Sequence, residues 1–146
     1  MKSKSNPYLR HALFAAATLA LGTAAHAGTF YWDPDGSGTS GFGTAGGTWG
    51  SDAFWNTDST GGSGGTIANT TITTADDIFF GTAVDGLGAG TVNGPSTAQG
   101  FLNMTFGSAS GAINLSGGTL NLDSATGSTI TVNNTSDTIS TNLQGS

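Results

Sequence analysis

The sequence predicts an all-β fold, a right-handed parallel β-helix (β-solenoid) with an aromatic, Gly-rich amino-terminal cap. Three observations predict it. Short apolar pairs recur with one small polar residue between their members, as in Ile113-Asn-Leu115, Leu120-Asn-Leu122 and Ile130-Thr-Val132. Thr, whose β-branched side chain favours extended backbone, stands beside many of these positions. No window shows the 3.6-residue apolar period of an amphipathic helix. An antiparallel β-sandwich is the alternative, but it calls for longer strands and larger inward residues. A solenoid coils short strands into rungs of roughly 20 residues, which suits apolar pairs separated by small-residue corners.

The elements follow in order along the chain. Residues 1–27 have the form of a secretory signal peptide. Lys2, Lys4 and Arg10 give a positive start, Ala12 to Leu21 is apolar apart from Thr18, and Ala25-His26-Ala27 offers small residues at a cleavage site. The apolar run is too short to cross a membrane, which takes about 20 residues. Residues 28–65 hold Phe30, Tyr31, Trp32, Phe42, Trp49, Phe54 and Trp55 between Gly-rich turns, and are expected to cap the amino end of the stack. Gly61-Gly62-Ser63-Gly64-Gly65 marks the end of this segment. Residues 66–146 are expected to form the rungs. Phe101 to Phe106 alternates, with Leu102, Met104 and Phe106 on one face. The apolar pairs then follow, and Gly-Gly, Asp-Ser and Asn-Asn supply turns between them. Ser136 to Leu143 still reads as a strand, so the stack is expected to continue into further repeats or to associate through its open strand edges.

Composition excludes most chemistries. Beyond residue 27 there is no Lys, Arg, His, Glu or Cys, and all nine acids are Asp. The full chain carries a formal charge of −6, and cleavage after Ala27 would leave nine carboxylates without a cation. Such a chain cannot neutralise phosphates, so nucleic acid and anionic membrane surfaces are excluded as partners. No second long apolar run follows the first, and no insertion of the exported chain into a membrane is expected. Without His, Lys or Glu the usual acid–base and nucleophilic arrangements cannot form. Paired Asp can cleave glycosidic bonds, but neighbours such as Asp76 and Asp77 would point to opposite faces of a strand. No enzyme is expected, and no cofactor.

Two candidate sites remain. Asp33-Pro-Asp-Gly-Ser-Gly38 offers Asp33 and Asp35 as weak Ca²⁺ ligands, against the reading as an Asp-Pro-Asp-Gly turn; the further acids of a Ca²⁺ loop are missing. Zinc, which takes His or Cys, is excluded. Trp32, Trp49 and Trp55 are candidate stacking platforms for a cell-surface glycan, against the reading as buried core.

The run Phe30-Tyr-Trp-Asp-Pro-Asp-Gly36, with Gly47-Thr-Trp-Gly50 and Asp52-Ala-Phe-Trp-Asn56, resembles the amino terminus of bacterial autotransporter-associated β-strand repeat proteins. Ala75-Asp-Asp-Ile-Phe-Phe-Gly81, Leu102-Asn-Met-Thr-Phe-Gly107, the Ser-Gly-Gly-Thr-Leu-Asn-Leu segment at 116–122 and Ser128-Thr-Ile-Thr-Val-Asn133 are of the same style. The resemblance implies an exported, non-enzymatic passenger exposed at the cell surface or released, with adhesion as one form of that display. It brings no catalytic residue with it. The many Gly-Thr-Leu repeats and the carboxy-terminal barrel of such proteins have no counterpart in these 146 residues.

Overall fold

A computed structural model describes residues 27–36 and 40–145. The expected signal peptide lies outside the described residues except for Ala27. The fold is all-β, with ten strands and no helix among the described residues.

Six strands make a first sheet: β1 (Thr29–Trp32), β2 (Trp55–Asn56), β3 (Ile67–Ala68), β4 (Asp77–Phe80), β7 (Asn103–Phe106) and β9 (Thr129–Val132). Their order is β3-β2-β1-β4-β7-β9. The second sheet holds β5 (Gly90–Asn93), β8 (Ile113–Asn121) and β10 (Thr138–Gln144) in the order β10-β8-β5, with β6 (Gln99–Gly100) also paired to β8. The chain alternates between the sheets from β4 onward. Asp77 pairs with Asn103 and Asn103 with Thr129, so each partner in this part of the first sheet lies 26 residues on.

This corrects the expectation of a uniform parallel β-helix. The first sheet is mixed: β1, β4, β7 and β9 run parallel, whereas β1–β2 and β2–β3 are antiparallel. For β2–β3 the cause is the Gly-rich run. Between β2 and β3, Gly61 takes a φ of 70°, and Asp58 accepts hydrogen bonds from both the amide and the hydroxyl of Thr60. That local turn reverses the chain into a hairpin, which a coil of parallel rungs does not contain. A purely antiparallel sandwich does not form either, because the second sheet is parallel throughout. The result is a sandwich-like pair of sheets, one mixed and one parallel.

Both sheets contribute to one core. Ile78, Phe80, Met104 and Phe106 enter it from the first sheet, and Val92, Ile113, Leu115 and Leu120 from the second. Phe80 and Phe106 stack across adjacent strands with centroids 5.1 Å apart. β8 shows how a strand keeps its apolar residues inward. The sequence suggests two strands with Gly117-Gly118 as the turn, but the backbone runs on through nine residues. Leu115 and Leu120 are five apart, so regular alternation would send them to opposite faces. Gly117 and Gly118 both take positive φ, 70° and 68°, and this double excursion returns Leu120 to the core. β10 shifts its register to match, between Ser140 and Asn142.

The two ends of this pair of sheets differ. At one end β5 is covered: Trp49 N–H donates to Asn93 O at 2.9 Å and Ala45 N–H to Gly88 O at 2.9 Å. Trp32, Phe42, Trp49 and Trp55 fill the core there, each fully buried. At the other end β9 and β10 are the outermost strands of their sheets, and Val132 (48% exposed) and Leu143 (43%) lie open to solvent.

Candidate functional site

The three tryptophans form one buried cluster. Trp55 meets Trp32 edge-on at 4.9 Å and Trp49 at 5.2 Å, and Trp32 also meets Phe54 edge-on at 5.5 Å. Trp32 Nε1–H donates to Gly46 O at 2.9 Å, and Trp49 Nε1–H to Gln99 Oε1 at 2.9 Å. With each ring at 0% exposure, none offers a face to a sugar. This corrects the reading of Trp32, Trp49 and Trp55 as stacking platforms. Their large apolar area makes them core, as such residues most often are.

Asp33 and Asp35 are near neighbours in the turn. Asp33 is fully buried, with Oδ2 accepting from Asn56 Nδ2 at 2.6 Å and Oδ1 from the Gly36 amide at 3.3 Å, which closes the Asp-Pro-Asp-Gly turn. Asp35 is exposed. No group of three or more potential ligands that could hold a metal ion occurs among the described residues. The described part of the loop forms the Asp-Pro-Asp-Gly turn.

Most other acids are likewise engaged in local structure. Asp76 accepts from the Gly28 amide and from the amide and hydroxyl of Thr73, at 2.7–2.8 Å. Asp77 accepts from Asn103 Nδ2 at 2.7 Å on the neighbouring strand, and Asp52 from the Thr48 amide at 2.7 Å. Asp137 accepts from the Ile113 amide at 2.9 Å through Oδ1, while its buried Oδ2 has no partner.

These environments set the response to pH. Burial pushes the Asp33 carboxyl up; the Asn56 hydrogen bond opposes this, and neighbouring Asp35 adds to it. Burial also raises Asp137, against the Ile113 amide. Asp58 is held down by the amide and hydroxyl of Thr60. A carboxyl raised in the folded state contributes stability that is present below its unfolded value and lost as pH rises through the folded value; Asp58 acts in the opposite sense. Two carboxyls are raised, and the body of the chain has nine carboxylates without a cation to offset them. Lowering the pH from about 7 to about 4 is therefore expected to raise the melting temperature, the reverse of ordinary acid denaturation. Calorimetry at low ionic strength checks this, and a midpoint that falls over that interval contradicts it.

The outward faces carry hydrogen-bonded polar side chains along the strand-to-strand direction. Asn93 Nδ2 donates to Thr48 Oγ1 at 3.4 Å, Asn114 Nδ2 to Thr91 Oγ1 at 3.5 Å, and the Ser140 hydroxyl to Asn114 Oδ1 at 3.5 Å. Half-buried Tyr31 links a ring on the neighbouring strand to the core. Tyr31 stacks on Phe79 at 5.0 Å and on Phe42 at 5.8 Å. Burial, and then the carboxylates of Asp58 and Asp77, push the Tyr31 phenol up.

One polar cleft of about 260 Å³ lies where distant segments meet, lined by Gly50, Thr71, Ser96, Thr97, Ala98 and Gln99. It leaves no mark in the sequence, because its lining comes from positions as far apart as Gly50 and Gln99 and contains no motif. A second, shallower hollow of about 320 Å³ is lined by Ser59, Thr60, Thr82, Val84 and Asp85. No protein-family model matches the chain, and neither a curated protein nor a solved structure matches it.

Proposed function

We propose that this chain is a non-enzymatic structural module that is exported and displayed at the cell surface. The observation that carries this reading is the division of its side chains. Every tryptophan lies inside one buried core, most carboxylates are engaged in turns and cross-strand bonds, and the outward faces present hydroxyls and amides. A surface of that kind offers hydrogen bonds without an activated nucleophile or a poised acid–base pair. The signal-peptide form of residues 1–27 supports export, and the amino-terminal likeness to autotransporter-associated β-strand repeat proteins supports display. Incubating the purified protein with polysaccharides and following new reducing ends tests the non-enzymatic part. No turnover is expected; turnover that is lost when Asp76 or Asp77 is changed to Asn overturns it.

Self-association through the open edges belongs to the same reading. Among the described residues β9 pairs only with β7 and β10 only with β8, and no Lys or Arg lies in either strand. Sedimentation of the purified protein is expected to show concentration-dependent association, weakened by the double substitution Val132→Lys, Leu143→Lys. A wild-type protein that stays monomeric at millimolar concentration contradicts this.

A further inference from the structure

We propose that the cleft between Gly50, Thr71 and the 96–99 segment binds an uncharged acetamido sugar, with Gln99 as its recognition residue. One amide in the cleft has a fixed orientation. Gln99 Oε1 accepts two hydrogen bonds, from Trp49 Nε1–H at 2.9 Å and from the Ile72 amide at 2.9 Å. Both partners are obligate donors, so the oxygen must face them and the amide cannot flip. The Nε2 donors consequently face the other way, toward Gly50. That position has no side chain, and a Cβ there would stand 3.0 Å from Nε2. Gly50 also takes a φ of 83°, a conformation that keeps larger residues out. The approach to the amide is thus held open on one side and fixed in direction on the other.

The chemistry of the lining selects the ligand. The fixed Nε2 donors call for a carbonyl-type acceptor. The hydroxyls of Thr71, Ser96 and Thr97 on the rim can donate or accept, which suits a ligand rich in hydroxyls. The cleft contains no charged side chain, and a body with nine carboxylates and no cation disfavours an anion. A volume of about 260 Å³ accommodates one sugar ring with its substituent. A peptide carbonyl offers the same acceptor, but a peptide also needs an apolar subsite for its side chains. Ala98 is the one apolar side chain in the lining. An acetamido sugar satisfies both the donors and the hydroxyls. Binding by one such ring without aromatic stacking is weak, and the site gains strength only through repeated contact with a polymer.

This inference goes beyond the display reading and fails separately from it, because binding is measured on the purified protein whatever its location. Trp49 provides the readout. Its ring is buried, but its indole N–H is bonded to the same amide that meets the ligand. Titration with chitohexaose, followed by NMR of the three indole N–H resonances, is expected to shift Trp49 and to leave Trp32 and Trp55 in place. The substitution Gln99→Glu keeps an oxygen acceptor for Trp49 and Ile72 and removes both donors. It is expected to weaken binding about tenfold with unchanged Trp32 and Trp55 resonances, the scale of one lost hydrogen bond. Thr97→Val, which removes one rim hydroxyl and leaves the Trp49 anchor intact, is expected to weaken binding as well. The proposal is overturned if chitohexaose at millimolar concentration leaves the Trp49 resonance unmoved, or if Gln99→Glu binds as well as wild type. It is also overturned if cellohexaose, which lacks the acetamido group, or an acetylated tripeptide gives the same response.

Discussion

Replacing Trp32 by Ala is expected to lower the free energy of unfolding by about 3–5 kcal/mol, the range for removing a large aromatic residue from a core. The site has little means of collapse. Trp32 is fully buried and is met edge-on by Trp55 at 4.9 Å and by Phe54 at 5.5 Å, with Phe80 at 6.3 Å. These are sheet and turn residues whose backbones are tied by pairing: Trp32 opposite Trp55, and the Asp33 amide bonded to Phe54 O at 2.8 Å. The substitution also leaves Gly46 O without its indole donor. A single domain is stable by only about 5–15 kcal/mol, so such a loss removes a large part of the total. Trp55 provides the control. Its Nε1–H is buried without a partner, so Trp55→Phe discards an unsatisfied donor together with some volume. Trp55→Phe is therefore expected to cost less than Trp32→Phe, which breaks a made bond. Urea unfolding followed by circular dichroism measures both. A Trp32→Ala protein within about 1 kcal/mol of wild type would contradict the assignment of Trp32 to the core.

The second large effect is expected at Asn56. This residue is fully buried and holds three segments together. Its Nδ2 donates to Asp33 Oδ2 at 2.6 Å and to Gly62 O at 3.4 Å, and its Oδ1 accepts from the Asp58 amide at 2.8 Å. Asn56→Ala strands a buried carboxylate and a turn amide. Loss of a hydrogen bond to a charged group, with burial left uncompensated, is worth about 3 kcal/mol at neutral pH. The penalty carries a pH signature. Asn56 is what pulls the Asp33 carboxyl down against burial, so its removal raises that carboxyl further. A raised carboxyl is destabilising above its folded value and harmless once protonated. The difference between variant and wild type should therefore shrink as pH falls through the two raised folded values, above the ordinary carboxylate value of about 4, and be gone once Asp33 is protonated in both. A penalty that is constant with pH would show that the amide acts by packing alone.

Some of this structure is legible in the sequence, and the limits have physical causes. Period-two alternation places Met104 and Phe106 inward, and the apolar members of 113–115 lie inward as the pattern requires. The all-β class follows from the same pattern. Sheet connectivity does not, because it depends on turns that act at a distance. Whether Gly61 to Gly65 is a connection or a hairpin depends on how Asp58 and Thr60 fold on themselves. The continuity of β8 depends on two glycines adopting the same unusual φ, where the sequence suggests a chain reversal. The tryptophans illustrate a different limit. A cluster of aromatic residues in sequence is compatible with a platform or a core, and only burial separates the two. Gln99 has no local signal, since its role comes from Trp49 and Ile72, which reach it from 50 and 27 residues away.

Display on the cell is tested most directly by labelling intact cells. An epitope tag placed in the exposed 123–127 turn, read with an antibody before and after permeabilisation, separates a displayed chain from a retained one. Labelling of intact cells equal to that of permeabilised cells is the expected result. Labelling that appears only after the envelope is opened would contradict the account.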